Sequence, residues 1–338
     1  MKKFNITWTA PANDGGAAIT GHDVGYTPSG GSETVVATGS TAAAYTLTGL
    51  TDDVEYSVRV RAENSAGKGA WSSAVVQVAA IDSGWSLTNA TYSQSLTMIA
   101  GADNLTEVVF KPDGTRLYTI SEGSQNIDQY NLATAWDISS ATHAQSFYLL
   151  TEGSPATGMA FKPDGTRLFT STRDGYVDDW ELSTPWDISS LTFVRELTLW
   201  RHLESSAPNI AVRPDGSAVY VLGKQRDKVY EFTVTTPWDI ATLNSSPTRE
   251  FSIQAQEFSP TGLFFDPEGT KMFVCGESGQ DVNEYDITTA WDITTAVYVQ
   301  SFSVAAQGTS PAGLAFKDDG SEMYVADRLT KQINEYSL

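Results

Sequence analysis

The chain has 338 residues, enough for two or three domains with substantial cores. Its formal net charge of −20 excludes binding to nucleic acid or to an anionic membrane by bulk electrostatic attraction. The single cysteine, Cys275, excludes an internal disulfide, and its apolar neighbours predict a buried, unreactive thiol. No stretch approaches the roughly 20 apolar residues of a membrane-spanning helix, and Met1–Trp8 lacks the apolar core of a secretory signal. The sequence therefore predicts a soluble protein made without a signal peptide and without membrane insertion.

Residues 1–80 read as short alternating strands separated by glycine-rich turns, at the spacing typical of a β-sandwich. Trp8–Pro11 resembles the second strand of a fibronectin type III domain, with its core tryptophan. Leu47–Leu50 and Tyr56–Val60 resemble the corner leucine and tyrosine of that family, and Asn64–Gly67 resembles the loop before its last strand. Only three residues precede the tryptophan strand. The family's first strand is therefore missing or very short, or a neighbouring chain supplies it by strand addition.

After a predicted linker at residues 81–84, a block of about fifty residues recurs five times over residues 85–338. Each copy carries a tight turn: Lys111–Thr115, Lys162–Thr166, Arg213–Ser217, Asp266–Thr270 and Lys317–Ser321. A Trp-Asp-Ile motif begins at Trp136, Trp186, Trp238 and Trp291, with a degenerate copy at Trp85. Repeats of this length with short alternating strands predict the blades of a β-propeller. The Pro-Asp-Gly sequence favours a tight turn rather than a ligand site. The recurring tryptophans predict a packing role rather than a binding role.

The two ends of the repeat region predict ring closure. Ala90–Leu96 opens the first repeat as a strand, and Ile333–Leu338 ends the last repeat before any further strand of that type. The opening strand can therefore complete the last blade and remove the exposed edges. The predicted fold is all-β: a fibronectin type III (Ig-like) sandwich over residues 1–80, then a five-bladed propeller over residues 85–338, closed by its N-terminal strand.

The predicted inner strands contain few side chains that could take part in catalysis. Glu107 is their only acidic residue, and one carboxylate without a partner cannot hydrolyse a glycoside by acid–base catalysis. The sequence has no metal-ligand spacing, no glycine-rich phosphate loop and no nucleophile elbow. It predicts no catalytic residues, no metal, no cofactor and a protein that is not an enzyme.

One blade departs from the repeat in two loops that open on the same face of a propeller. Most loops that lead into the inner strands are small and polar, but this blade has Trp200, Arg201 and His202 there. Its hairpin carries Lys224 and Arg226. We expect these five residues to form a contact patch for an anionic glycan or an acidic protein, with tryptophan stacking and arginine hydrogen bonding. The alternative is that Trp200 folds inward and the lysines are ordinary solvated charges.

The pairing of Pro-Trp-Asp-Ile with Lys-Pro-Asp-Gly-Thr, as at Pro185 and Lys162, resembles virion proteins of tailed bacteriophages. The resemblance implies a structural protein on the virion surface, made in the host cytoplasm, as a capsid decoration or a head or tail fibre adhesin. The fibronectin-like domain would dock on capsid, tail or fibre proteins, several copies could assemble there, and the propeller would be displayed to host glycans. The alternative is a bacterial lectin-like or surface-adhesion propeller, although the diverging loops disfavour one sugar site per blade.

Overall fold

The computed structural model describes residues 2–9, 11, 16–50, 54–73, 75–78, 85–99, 102–149, 155–198 and 208–338. The chain divides into two compact units, Met1–Gly84 and Trp85–Leu338. The regular elements of the described residues are β-strands and five three-residue 3₁₀ turns. None of the described helical segments is long and apolar enough to cross a membrane. The linker predicted at residues 81–84 lies outside the described residues.

The first unit is a small β-sandwich. Its strands are Lys2–Thr7 (β1), Ile19–Pro28 (β2), Thr34–Ala37 (β3), Ala44–Leu50 (β4), Glu55–Asn64 (β5), Gly67–Lys68 (β6) and Val75–Val78 (β7). One sheet pairs β1 with β4, and in the other β2 lies between β3 and β5. The core between them contains Val24, Leu47 and Tyr56, with Trp8 packed against it. Among the described residues β1, which leads directly into Trp8, is the first strand, so no earlier strand covers its free edge there.

The described residues of the second unit form twenty strands in five four-stranded antiparallel sheets. The first four sheets are built from Leu105–Phe110 (β9), Arg116–Ser121 (β10), Asn126–Leu132 (β11), Ala141–Tyr148 (β12); Ala156–Phe161 (β13), Arg167–Thr172 (β14), Tyr176–Leu182 (β15), Leu191–Thr198 (β16); Asn209–Val212 (β17), Ala218–Gly223 (β18), Lys228–Thr233 (β19), Arg249–Ser252 (β20); and Pro260–Phe265 (β21), Lys271–Gly276 (β22), Asp281–Ile287 (β23), Ala296–Ser303 (β24). The fifth contains Pro311–Phe316 (β25), Glu322–Asp327 (β26), Gln332–Ser337 (β27) and Thr91–Thr97 (β8). The first strand of the unit thus pairs with the last, from Gln332 opposite Thr97 to Ser337 opposite Thr91.

The inner strands of the five sheets surround a central channel. β9, β13, β17, β21 and β25 contact one another in this order, and β25 contacts β9, so the sheets form a closed ring. The inner strands approach closely because several positions lack a side chain. A Cβ atom on Gly313 would lie 2.6 Å from the Cα atom of Glu107, and one on Gly158 would lie 2.8 Å from the Cα atom of Asn209.

The repeated motifs build one face of the ring, which we call the lower face. Gly165 ends its turn with φ +72°, a conformation that suits glycine, and the ring of Trp186 lies against it. The phenol of Tyr118, from the preceding blade, donates to the Trp186 carbonyl at 2.5 Å. Asp187 accepts from the Ser189 amide at 3.0 Å and so caps the 3₁₀ turn Ile188–Ser190. The Trp-Asp-Ile motif therefore locks neighbouring blades together, and the matching 3₁₀ turns are Leu87–Asn89, Ile138–Ser140, Ile240–Thr242 and Ile293–Thr295.

Candidate functional site: the central channel

The opposite, upper face carries charged side chains at one position of the repeat, directly after the second strand of each blade. We call these residues the upper charge ring: Glu122, Arg173, Lys224, Glu277 and Arg328. Three are cations and two are anions, in a chain with net charge −20. Arg173 pairs with Glu122 across neighbouring blades at 2.6 Å. The remaining members meet at Glu277.

Glu277 is the centre of this cluster. Its carboxylate accepts from Lys224 Nζ at 2.7 Å and from Arg328 Nη1 at 2.9 Å, and the two cations come from the two neighbouring blades. Ser310 Oγ donates to Glu277 at 3.1 Å and Ser259 Oγ at 3.2 Å. Burial raises the pKa of Glu277, but Lys224 and Arg328 outweigh burial and lower the pKa below 4.5. Glu277 is therefore ionised at neutral pH between two cations.

A second carboxyl group closes the channel just below the upper charge ring. Glu107 lies on β9, is buried, and accepts from the side-chain amide of Asn209 on β17. Its carboxyl also accepts from the backbone amides of Val108, Met159 and Leu314, which belong to three different blades. Burial raises the pKa of Glu107 from 4.5 to about 8, and the four hydrogen bonds oppose a larger rise. Glu107 therefore changes charge near neutral pH.

The repeat explains why this carboxyl fits. The inner-strand position of Glu107 is occupied in the other blades by Gly158, Asn209, Gly262 and Gly313. Three glycines leave space on the channel axis, one glutamate fills that space, and one asparagine donates to it. Sequence reasoning identified Glu107 as an isolated acidic residue and missed Asn209. Aligning the five inner strands at this position would have revealed the pair.

Below Glu107 the channel widens into a cavity of about 290 Å³ that opens at the lower face. We call it the lower well. One repeat position of the inner strands lines it with Val109, Ala160, Ala211, Phe264 and Ala315. Its rim is formed by the second residue of each turn, which is Pro112, Pro163, Pro214, Pro267 and Asp318. The lower well is therefore a largely apolar cavity with one exposed carboxylate, Asp318, on its rim.

The sandwich contains a larger cavity of about 940 Å³ beside Trp8 and Trp71. Arg59 and Arg61 stack on the Trp71 ring, with their guanidinium carbons 4.6 and 4.3 Å from its centre. Both arginines are paired with carboxylates, Arg59 with Glu33 and Arg61 with Asp23, at 2.6 and 2.7 Å. The channel is the stronger candidate site, because charges from several blades converge there.

The structure locates only part of the predicted contact patch. Trp200, Arg201 and His202 lie outside the described residues. Lys224 belongs to the upper charge ring, and Arg226 is exposed on the same hairpin. Glu277 and Arg328 were not predicted, because they stand out only when the same repeat position is compared across the blades. Among the described residues, no group of three or more His, Cys, Asp or Glu side chains could hold a metal ion. Cys275 is buried, and burial raises the pKa of its thiol to about 12, as the sequence indicated.

Two family models match the chain. Residues 2–78 match the fibronectin type III domain, and residues 200–338 match the family described as "Lactonase, 7-bladed beta-propeller". The first match confirms the predicted identity of the sandwich, and the second confirms a propeller. The family description does not support the predicted number of five blades, although the described residues contain the five sheets given above. Neither match shows a role in a virion.

Solved structures show weaker similarity. A functionally unknown protein from Desulfotomaculum acetoxidans is 15% identical, with a TM-score of 0.42; the match covers 69% of this chain and 65% of that one. The Cps50 β-propeller domain of Myceliophteria thermophila is 10% identical (TM-score 0.45, covering 74% and 99%). A putative 6-phosphogluconolactonase from Bacteroides uniformis is 11% identical (TM-score 0.45, covering 94% and 92%). At these values the similarities carry no functional inference.

The prediction that the protein is not an enzyme is wrong, because residues 200–338 match a lactonase family. It relied on the absence of a second carboxylate, which glycoside hydrolysis requires. Opening a lactone ring requires only one base for water and a positive charge near the carbonyl oxygen. The matched segment contains Lys224, Glu277 and Arg328. The chain thus consists of a fibronectin type III domain followed by a β-propeller whose residues 200–338 match the lactonase family.

Proposed function

We propose that this is a surface-binding protein whose propeller takes a carboxylate-bearing glycan at the upper charge ring. The observation that supports this proposal is the cluster around Glu277, where Lys224 and Arg328 from two blades converge on one carboxylate. A ligand carboxylate can form the same charge-assisted hydrogen bonds, because lysine has three donors and arginine has five. The side chains of Lys224 and Arg328 are 28% and 19% exposed, so both remain partly accessible.

The repeat supports a single site rather than five equal ones. At the ring position the five blades carry Glu, Arg, Lys, Glu and Arg, so the blades do not offer five equal sites. Only the third, fourth and fifth blades place two cations on one anion. A ligand with one acidic sugar therefore has one preferred position.

Binding would be tested with oligogalacturonate, using its methyl ester as the uncharged control, by isothermal titration calorimetry. Replacing Lys224 and Arg328 together by methionine should weaken oligogalacturonate binding at least about tenfold, since each removes a charge-assisted hydrogen bond. Lys162→Met, which removes a half-buried lysine of the lower face paired with Asp164, is the matched control and should bind normally. Equal binding of the methyl ester, or an equal loss in Lys162→Met, would reject the upper charge ring as the site.

We further propose that the protein lies on the surface of a bacteriophage particle. The five sheets would then form the complete, five-bladed propeller. The fibronectin type III domain would attach to capsid, tail or fibre proteins, and the ring would face the host. The motifs shared with phage virion proteins support this proposal. Immunogold electron microscopy of phage from the source culture should label capsids or fibres, whereas unlabelled particles would exclude it.

The lactonase match favours a second candidate function at the same cluster, the hydrolysis of a sugar lactone. Ionised Glu277 would accept a proton from water as the water oxygen bonds to the lactone carbonyl carbon. Lys224 and Arg328 would stabilise the negative charge on the carbonyl oxygen. The ring C–O bond then breaks, and the alkoxide leaving group takes the proton back from Glu277, which gives the hydroxy acid and restores the ionised carboxylate.

This activity would be measured by pH-stat titration of glucono-δ-lactone above its spontaneous hydrolysis. We expect Glu277→Gln to lower kcat/KM at least about a hundredfold, in the range of a lost general base. Glu250→Gln is the control, because Glu250 is an exposed carboxylate paired with Lys228 on the outer strand β20. A wild-type rate equal to the spontaneous rate would exclude lactone hydrolysis and leave the glycan-binding proposal intact.

A further inference from the structure

The lower well lies at the other end of the channel from the upper charge ring, and its chemistry is different. Three carboxyl groups, those of Glu107, Asp266 and Asp318, are among the residues that line it, and none of its lining residues is Lys, Arg or His. An anionic ligand would find no counter-charge there. The exposed Asp318 carboxylate on the rim, in a chain of net charge −20, attracts small cations instead.

The three carboxyl groups are not equally available. Glu107 already accepts four hydrogen bonds, which use the lone-pair positions of both its oxygens. Asp266 is buried and accepts from the amides of Thr270 and Lys271 and from the Thr270 hydroxyl. Asp318 is exposed on the rim and has no hydrogen-bond or ion-pair partner among the described residues. A ligand can therefore pair directly with Asp318.

Asp318 is also the departure from the repeat at the rim. The other four turns have proline at this position, and only the fifth blade has a side chain that can bind a charge. The turn does not require aspartate there, because proline serves the same turn in four blades. Burial against the rim, together with the neighbouring Asp319, raises the pKa of Asp318, as expected for a carboxylate that lacks a cation.

The interior of the well is apolar and small. Between Asp318 and the floor at Glu107 the inner strands contribute Val109, Ala211 and Phe264, all partly exposed to the cavity. Phe110 lies three positions along the strand from Glu107, which makes the well about 10 Å deep. A volume of about 290 Å³ is at the lower limit of small-molecule sites. The space accepts a short hydrocarbon stem or a single ring.

From these features we infer that the lower well binds a small primary ammonium ion on an apolar stem, with the ammonium on Asp318 and the stem toward Glu107. Alkyl- and arylammonium ions of about six to ten non-hydrogen atoms fit this description. The stem would displace water from the aliphatic lining, and the ammonium would donate to the Asp318 carboxylate. This site is independent of the glycan or lactone site proposed for the upper face.

The test uses the full chain and three probes of one size: n-pentylammonium, n-pentanol and pentanoate, each titrated by ligand-observed NMR. We expect saturable binding of pentylammonium with a Kd of about 1 mM, as its few atoms allow, weaker binding of pentanol and none of pentanoate. Equal affinities for pentylammonium and pentanol would overturn the assignment of the ammonium to Asp318. Absence of saturation by pentylammonium would overturn the site as a whole.

Three variants locate the site. Asp318→Pro restores the residue of the other four turns, so the blade should fold, and pentylammonium binding should weaken about tenfold. Ala211→Phe fills the well and should abolish binding of both pentylammonium and pentanol. Glu268→Gln is the control, because Glu268 is an exposed carboxylate in a neighbouring turn that does not line the well. A loss of binding in Glu268→Gln equal to that in Asp318→Pro would mean that only bulk negative charge attracts the probe, and would reject the site.

Discussion

The lower and upper faces of the propeller are built from the same five repeats but by opposite rules. On the lower face equivalent residues make equivalent contacts: Asp113 and Asp164 each accept from the amide and hydroxyl of the threonine two residues later, at 2.5–3.0 Å. On the upper face equivalent positions carry opposite charges, as Glu277 and Arg328 do. Contacts that are the same in every blade close the ring. Candidate sites lie at positions where the residue differs from blade to blade. Asp318 shows that the second rule also applies to a single position of the lower face.

The contact between glycine and tryptophan gives the largest expected effect of this comparison. In Gly165→Ala the new Cβ atom would lie 2.2 Å from Cδ1 of Trp186, at φ +72°. Neither ring nor turn can move without losing the Trp186 contacts to the preceding blade. We expect the free energy of unfolding of the propeller to fall by about 4 kcal/mol, measured by urea unfolding.

Gly39→Ala measures the cost of a positive φ angle to the free energy of unfolding without a steric clash. Gly39 has φ +62°, and a Cβ atom there would meet nothing within 4 Å. This variant should cost about 1 kcal/mol in the sandwich's own unfolding transition. If Gly165→Ala cost no more than Gly39→Ala, the Trp-Asp-Ile contacts would not be what holds the blades together.

The closure of the channel by Glu107 gives the next effect, which depends on pH. Burial raises the pKa of Glu107 from 4.5 to about 8, so between these values the folded protein binds more protons than the unfolded chain. Stability from this group is therefore complete below about pH 4.5 and is lost as the pH rises toward 8. The slope is at most about 1.4 kcal/mol per pH unit. Glu107→Gln should flatten the fall in unfolding free energy between pH 5 and 8.

Asp178 provides the comparison for this profile. It is buried on β15 in the second blade, and burial raises its pKa to about 7, so it destabilises the fold over a similar range. Asp178→Asn should also reduce the slope of unfolding free energy against pH. The reductions caused by Asp178→Asn and Glu107→Gln should add if the two groups are independent. An unchanged profile in Glu107→Gln would mean that its four hydrogen bonds keep the carboxyl ionised throughout.

The architecture followed from the repeat because turn chemistry and strand alternation are local signals. Lys162–Thr166 specifies its turn without reference to any other blade, so five copies predict five similar sheets. The pairing of β8 with β27 was predicted from where the repeats begin and end, and the structure contains it. Local patterns could not predict why glycine is needed at channel positions such as Gly313. Glycine is needed there because the backbone of a different blade lies close to it.

The candidate site was much less predictable than the fold. Lys224 was chosen for its loop, but its partner Glu277 is 53 residues away and belongs to the next blade. The sequence reveals this set only when the same position of each repeat is compared, which groups Glu122, Arg173, Lys224, Glu277 and Arg328. The same comparison identifies Asn209 beside Glu107 and Asp318 among the prolines. Hydrogen-bond partners and burial remain properties of the folded ring.

The repeated turns give the smallest expected effect and test whether lower-face contacts act blade by blade. Burial raises the pKa of Asp164, but Lys162 and Thr166 outweigh it and lower the pKa from 3.8 to about 2. The stability that Asp164 contributes is thus present above pH 3.8 and lost as the pH falls toward 2. Its side chain is 50% exposed, so solvent screening limits Asp164→Ala to about 0.5–1 kcal/mol near neutral pH.

Asp113 makes the same contacts one blade earlier, which allows a double-mutant cycle. If each turn stabilises only its own blade, Asp113→Ala and Asp164→Ala should add to within about 0.5 kcal/mol in urea unfolding. A larger combined loss would mean that neighbouring turns share their effect through the tryptophans between them. In that case the lower face would act as one continuous ring, and replacing Asp318 by proline would change the stability of more than the fifth blade.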